Sequence, residues 1–364
     1  MEYRKLPHGN EEISIIGLGT SSIGTASEEE AIKTIQDAIK AGINYFDLAS
    51  GHACTFKALG KALKGQRDKV YLQIHFGANY ETGEYGWTTN LNKIKQSVKW
   101  QLENLQTDYI DFGFIHCIDE EADLVKMEET GVIDYILQLK EKGIIRHLGL
   151  SSHTPSLVHK VLDKYPLDIV MFSINPAYDY KQGDYAIGDV DERMDLYRRL
   201  EKEGVAISVM KAFSGGQLLD ADKSPFHHAL SETQCIAYAL DKPAVVTVLP
   251  GIRNHEDLER ILQYTNASEE EKDYSILASF QQVEHTGTCV YCKHCHPCPK
   301  GLDIALINKY YDLAMLGDEL AKDHYHHLEA KASDCIKCGH CNSRCPFSVD
   351  QMARMETIKE YFHE

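Results

Sequence analysis

Basic charge is in short supply in this chain of 364 residues: 38 lysines and arginines stand against 55 aspartates and glutamates, a net of −17. Nucleic-acid binding wants a basic face, and docking on an anionic membrane wants cationic clusters. The balance argues against both. Long apolar runs are lacking too. None approaches the ~18 to 20 residues of a membrane helix, and the opening Met-Glu-Tyr-Arg-Lys-Leu has no apolar signal core. The C-x3-C-x2-C spacing of radical S-adenosylmethionine enzymes does not occur among the clustered cysteines.

Those clustered cysteines organise the C-terminal third. Eight of the 11 fall in two runs, Cys289-Val-Tyr-Cys292-Lys-His-Cys295-His-Pro-Cys298-Pro299 and Cys335-Ile-Lys-Cys338-Gly-His-Cys341-Asn-Ser-Arg-Cys345-Pro346. The second is the C-x2-C-x2-C-x3-C-P pattern of ferredoxins, in which three thiolates hold one [4Fe–4S] cluster and the fourth reaches the other. The first has x2 before its last cysteine. That pattern implies a crossed assignment: Cys289, Cys292, Cys295 and Cys345 for one cluster, and Cys335, Cys338, Cys341 and Cys298 for the other. Zinc knuckles also use C-x2-C pairs but seldom place a third cysteine at the same short spacing. A disulfide framework belongs to small secreted domains. Two clusters mean electrons handled one at a time, and oxygen-labile clusters with free thiols point to a reducing cytoplasm in an organism that avoids oxygen.

Ahead of the cysteines, apolar β-rich runs alternate with helical stretches eight times. The predicted strands are Ile13–Gly19, Tyr45–Ala49, Val70–Phe76, Tyr109–Cys117, Ile145–Ser151, Ile169–Asn175, Val205–Ala212 and Ala244–Pro250. The helices between them include Glu28–Ala41, Thr89–Leu105, Leu124–Lys142, Asp191–Lys202 and Glu232–Leu240. Strands without clean alternation suit a parallel sheet covered on both faces. Eight repeats in about 250 residues fit a (β/α)8 TIM barrel, whose chemistry sits at the C-terminal strand ends. That rule selects Asp47, His52, His75, His116, Ser151, His153, Asn175 and Lys211. One histidine alone is more often a structural residue, but four at one rim point to a site, since imidazole suits proton transfer or metal ligation near neutral pH.

The motifs Tyr3-Arg4-Lys5-Leu6, Ile16-Gly17-Leu18-Gly19-Thr20, Asn44-Tyr45-Phe46-Asp47, Tyr109-Ile110-Asp111, Gly143-Ile-Ile-Arg146-His-Leu-Gly149-Leu-Ser151 and Pro250-Gly251-Ile-Arg253 resemble the aldo-keto reductases over about residues 3 to 265. The cysteine array resembles the branch of that superfamily with a ferredoxin-like tail. The resemblance implies a hydride-transfer site of aspartate, tyrosine, lysine and histidine. Asp47 and His116 match the first and last. The tyrosine position is His52 and the lysine position is His75. These two changes agree with each other, because a lysine that tunes a tyrosine has no task once the tyrosine is gone.

Three readings of that altered site stand open. His52 acts as general acid, with Asp47 and His75 setting its tautomer and charge. Alternatively, His52, His75 and His116 with Asp47 ligate a mononuclear metal, with Cys54 and Cys117 adjacent in sequence. In the third, the barrel is degenerate and carries an electron-transfer domain. The resemblance also implies NADPH held by the loops after strands seven and eight, here Lys211–Leu218 with Ser214 and Gly216, and Pro250–Asn254 with Gly251 and Arg253. Glycines and a helix N-terminus suit a phosphate there, and Ser151, Asn175 and Lys211 join the expected cofactor set. The plainer alternative is a tight loop and a surface arginine. A flavin is the usual converter between hydride and single electrons.

The expected organisation is a barrel over 1–265, a linker helix over 266–284 capped by Ser268 with Glu271, and a mainly α-helical ferredoxin-like domain over 285–364. Ile304, Ile307, Tyr311 and Met315 recur at helical spacing there, and the tract Asp323-His-Tyr-His326-His327 reads as a solvated helix face. Tyr80–Trp87, rich in aromatics and glycine, is placed over the pocket. The expected function is an iron–sulfur oxidoreductase acting on a small organic substrate, with an external ferredoxin or flavodoxin as electron partner.

Overall fold

The computed structural model describes residues 1–179, 186–279, 289, 295, 297–315, 319–345 and 348–364; of the expected site residues, Cys292 lies outside them. The chain forms two compact units that divide near residue 280.

The first unit contains eight parallel strands: β1 Leu18–Gly19, β2 Tyr45–Asp47, β3 Tyr71–Phe76, β4 Ile110–Ile115, β5 Ile145–Ser152, β6 Ile169–Ser173, β7 Ala206–Met210 and β8 Val245–Val248. Each pairs with its neighbour in sequence order. The ring closes between β8 and β1, where Ile16 bridges Val248 and Gly19 bridges Gly251. Close approach explains the glycine: a Cβ on Gly19 would lie 3.0 Å from the Pro250 carbonyl oxygen. This is the (β/α)8 barrel that the alternation predicted. Its interior is packed by Tyr45, Phe112, Phe114, Ile169, Met171, Ala206, Val246 and Leu249.

The first predicted strand, Ile13–Gly19, proves to be two. Glu12–Ser14 pairs antiparallel with Tyr3–Lys5 in an N-terminal hairpin, and Leu18–Gly19 forms the barrel strand, with Ile16 bridging β8 ahead of it. Ser14 causes the break, because its hydroxyl donates to the Ile16 carbonyl at 2.7 Å and turns the chain. Leu6 and Ile13 of the hairpin are fully buried in the same core. The predicted helix over 124–142 is also two, Glu121–Glu129 and Val132–Glu141. They are parted at Gly131, whose φ of 76° no ordinary helical residue adopts.

Helix Glu28–Lys40 shows why the outer layer forms. Ser27 accepts the Glu30 amide as N-cap, three glutamates follow in the first turn, and Ala31, Thr34, Ile35 and Ala38 make the buried stripe. Such a cap contributes about 1 kcal/mol. Ser268 and Glu271 do form the expected capping box, but the helix they start is one turn, Glu269–Lys272. Asp273 stops it, since its carboxylate accepts the Ser275 amide and its carbonyl accepts from Gln234.

In the second unit the described residues hold helices Ile304–Met315, Glu319–His326, His340–Arg344 and Gln351–Tyr361, and no strand. Ile304 and Ile307 are buried as expected. Met315 is 56% exposed, and the stripe continues instead through Tyr310 and Ala314. A 3.6-residue turn carries position 315 past the packed face. His326 and His327 are exposed but Tyr325 is fully buried, so the tract from Asp323 to His327 is solvated only in part.

Candidate active site

At the C-terminal strand ends, Asp47 on β2 and Gln73 and His75 on β3 face one another. Residues 73 and 75 share a side because strand side chains alternate. The Asp47 Oδ1 atom lies 2.6 Å from His75 Nε2 and accepts the Gln73 amide at 2.9 Å. With the carboxylate as acceptor, Nε2 of His75 carries a proton. Tyr45, fully buried, donates its hydroxyl to Gln73 Oε1 at 2.5 Å and so orients the amide. Burial holds the Tyr45 hydroxyl well above its ordinary pKa, which keeps it a donor. The His75 Nδ1 atom is buried and has no hydrogen-bond partner among the described residues.

The His116 ring packs edge-on against His75, with centroids 4.6 Å apart. Its Nδ1 lies 3.2 Å from Ser151 Oγ at the end of β5, and its Nε2 lies 2.7 Å from the Tyr85 hydroxyl. Ser151 Oγ also accepts the Cys117 amide at 2.8 Å, supporting a backbone turn in which Cys117 has a φ of 52°. Asp47, His75, His116 and Ser151 are all buried.

His52 is placed differently. Its Nδ1 lies 2.6 Å from Glu84 Oε2, with the imidazole 31% and the carboxylate 63% exposed. Among the described residues its ring makes no hydrogen bond to Asp47 or His75, so those two do not set its tautomer. The cause is a β-hairpin after β3, Ala78–Asn79 with Gly86–Trp87, whose tip lies against the loop after β2. The Tyr85 amide donates to Gly51 at 3.0 Å and the Ala53 amide to Gly83 at 2.9 Å. Tyr80 in the same segment is buried and donates to the Ser50 carbonyl at 3.1 Å.

The metal reading of three histidines fails on the same geometry. His52 is bound to Glu84, and both ring nitrogens of His116 are engaged by Tyr85 and Ser151, so the three imidazoles do not converge on one point. Among the described residues, the group with ligand atoms within 4.8 Å of one another is Cys117, Asp119 and His153. Within it, His153 Nδ1 meets Asp119 Oδ2 at 2.9 Å and the Cys117 thiol meets the same oxygen at 3.6 Å. Asp119 Oδ1 accepts the His153 amide at 2.6 Å, so this carboxylate ties the loop after β4 to the loop after β5.

The phosphate-type loops lie after β7 and β8. Lys211, Ser214, Gly215 and Gly216 all have positive φ, and a Cβ on either glycine would meet nothing within 4 Å. Ser214 Oγ donates to Gln217 Oε1 at 3.2 Å. Asn175 is committed to backbone, donating to the Lys211 carbonyl and accepting the Tyr178 amide. Arg253 forms a two-point pair with Asp257, at 2.7 and 3.1 Å, yet its side chain is 62% exposed. That pair, with Arg260, draws the Asp257 carboxyl down to about 2. Gly251 lies at the closing bridge, near Ser21 and Ser22.

In the second unit the described cysteines of the two runs are Cys289, Cys295, Cys298, Cys335, Cys338, Cys341 and Cys345. Burial pushes the Cys341 thiol up, and the nearby Cys335 and Cys338 push the same way. Cys345 Sγ accepts the Val349 amide at 3.4 Å, and Cys289 Sγ accepts from the Gln351 side chain at 3.7 Å. Thiols of the two runs thus meet one short turn. Cys298 is half-buried at the Cys298–Gly301 turn.

Asp119 was not among the residues picked from the sequence, and Tyr85 entered only within the stretch Tyr80–Trp87, with no role of its own. Tyr85 follows no strand directly, so the strand-end rule passes over it. Asp119 had a weak signal, an acidic residue three positions after His116.

The Aldo/keto reductase family matches residues 15–234 of the chain; the cysteine runs lie beyond that stretch. The uncharacterized oxidoreductase YqkF of Bacillus subtilis is 29% identical over 318 residues, covering 81% of this chain and 99% of that protein. L-galactose dehydrogenase of Arabidopsis thaliana is 25% identical, covering 80% and 88%. Among solved structures, aldo-keto reductase AKR11C1 of Bacillus halodurans superposes with a TM-score of 0.62 at 24% identity, covering 78% of this chain and 97% of its own. With the family matched across most of a closed eight-stranded barrel, the chain belongs to the aldo/keto reductases and is an oxidoreductase.

Proposed function

We propose that this protein is an iron–sulfur member of its family that reduces or oxidises a small carbonyl-class substrate at the barrel mouth, with a low-potential carrier such as a ferredoxin or flavodoxin as electron partner. One observation carries the reading: seven described cysteines stand in two ferredoxin-type runs. The donor set is soft and fits iron–sulfur ligation. Cys289, Cys292, Cys295 and Cys345 would hold one cluster, and Cys335, Cys338, Cys341 and Cys298 the other. The crossed assignment is supported by the turn at 349–351, which donates to both Cys289 and Cys345. Bound clusters would supply single electrons. The domain split follows as barrel, linker near 266–284 and cluster domain from 285.

At the mouth, Asp47 and Gln73 orient His75, and His75 packs His116 into place. A nicotinamide cofactor is supported by family membership and by the open loops at Ser214–Gly216 and Gly251–Arg253, where backbone amides suit a pyrophosphate. A flavin is the alternative occupant. Anaerobically purified protein tests the reading. About eight irons and eight sulfides per chain are expected, with turnover of a panel of aromatic and aliphatic aldehydes under reduced methyl viologen. Iron well below that figure, with zinc in its place, overturns it. Full clusters without turnover of any carbonyl leave an electron carrier instead.

A further inference from the structure

The site described so far has no settled acid, because the family's tyrosine position is His52 and His52 is tied to Glu84. A phenol is nevertheless present, brought in by a different loop. We propose that Tyr85 is the proton donor of the reaction, with His116 and Ser151 fixing where its proton sits. This rests on the reading of the mouth as a carbonyl-reducing site.

Geometry carries the assignment. Tyr85 Oη lies 2.7 Å from His116 Nε2, and its ring packs edge-on to that imidazole with centroids 5.8 Å apart. Its position does not depend on chance packing. The Tyr85 amide is bonded to Gly51, and Gly86 next to it pairs with Asn79 across the hairpin. The phenol is half-buried, so it is neither sealed off from a ligand nor adrift in water. Tyr80, the neighbouring phenol, is fully committed to the Leu48 and Ser50 carbonyls.

Hydrogen-bond bookkeeping sets the tautomer. Ser151 Oγ already accepts the Cys117 amide, and the acceptor within its reach is His116 Nδ1. A buried hydroxyl donates where it can, so Nδ1 accepts and Nε2 carries the imidazole proton. Nε2 then donates to the Tyr85 oxygen. A hydrogen bond to the charged form favours that form, so His116 stabilises the phenolate that remains after proton transfer. In the reducing direction the Tyr85 O–H bond breaks and an O–H bond forms on the substrate oxygen. Two electrons and a second proton reach the carbonyl carbon, as hydride from a nicotinamide or as single electrons from a reduced iron–sulfur donor with a solvent proton. Water then returns a proton to Tyr85.

Two measurements test this, and one needs no substrate. With 3-fluorotyrosine at position 85 of the full-length protein, the 19F shift titrates that one phenol. Its midpoint is expected to rise when His116→Leu removes the donor, and a midpoint unmoved by that change overturns the proposal even if no substrate is found. In the aldehyde assay, Tyr85→Phe is expected to lower kcat by about 100-fold or more, with KM and cluster content kept. Retained kcat in Tyr85→Phe together with loss in His52→Gln would return the acid to His52. If wild type reduces no carbonyl, the functional reading fails on that assay while the titration still decides the role of the Tyr85–His116 pair.

Discussion

His75 Nε2 and Asp47 Oδ1 lie 2.6 Å apart at the floor of the mouth, with both side chains out of water. Removing one partner of such a buried pair is costly, about 3–5 kcal/mol, since the other stays desolvated. His75→Phe leaves Asp47 with the Gln73 amide and the Ala49 N–H alone. The urea midpoint of the barrel transition is expected to fall by that amount of free energy at unchanged slope. A midpoint equal to wild type means the pair contributes nothing net.

Asp168 supplies a pH prediction. Burial alone would raise its pKa, but the nearby His147 imidazole and hydrogen bonds from Lys140 and the Leu148 amide outweigh that and bring it to about 2. A carboxyl lowered on folding stabilises above its unfolded value near 4, and that stabilisation fades as pH falls through about 2. The drop is worth about 2 kcal/mol. Asp168→Asn should therefore lose about that much stability at pH 7 and show a flatter acid limb in denaturant titrations between about pH 4 and 2. An acid limb identical to wild type counts against the role.

The two cysteine runs make a prediction about pairs. Cys289→Ala and Cys345→Ala are expected to deplete the same cluster, so the double variant loses no more iron than either single one. Cys289→Ala with Cys298→Ala should lose about twice as much. Iron and sulfide counts with low-temperature EPR of the reduced protein read this directly. Additive loss for 289 with 345 would assign each run to its own cluster.

Arg253 is paired to Asp257 yet mostly exposed. If it meets a nucleotide phosphate, Arg253→Ala removes a charge-assisted hydrogen bond worth about 1.5–3 kcal/mol. NADPH binding by calorimetry should then weaken roughly 10-fold or more. Unchanged affinity confines Arg253 to holding the helix that begins at His255.

The barrel was legible because its signal is redundant: eight strands repeat one pattern, and the alternation survives errors of one or two residues at each end. Breaks set by a single contact were not legible. Ser14 turning back to Ile16 and Gly131 in the left-handed region are visible only once their partners are placed. The mouth was half legible. Asp47, His75 and His116, selected as strand-end residues, do lie together at one mouth. The partner of His52 was not legible, because Glu84 sits on a hairpin 32 positions away with no periodic signal of its own. Tyr85 escaped for the same reason. Met315 shows the limit of spacing, since steps of three and four satisfy a helix without saying which face meets the core.

Two of the bonds that hold the hairpin tip to the loop after β2 are main-chain bonds, Tyr85 to Gly51 and Ala53 to Gly83. They are blind to the side chain at position 52. A change at position 52 would remove the pair with Glu84 but leave these two bonds to the tip in place. Comparison by alignment column would score this chain as an inactivated relative, because the expected tyrosine is missing from its column. If Tyr85 is the donor as proposed, a hydroxyl has changed address rather than disappeared, and searches for dormant enzymes in this family should look for donors by position in space.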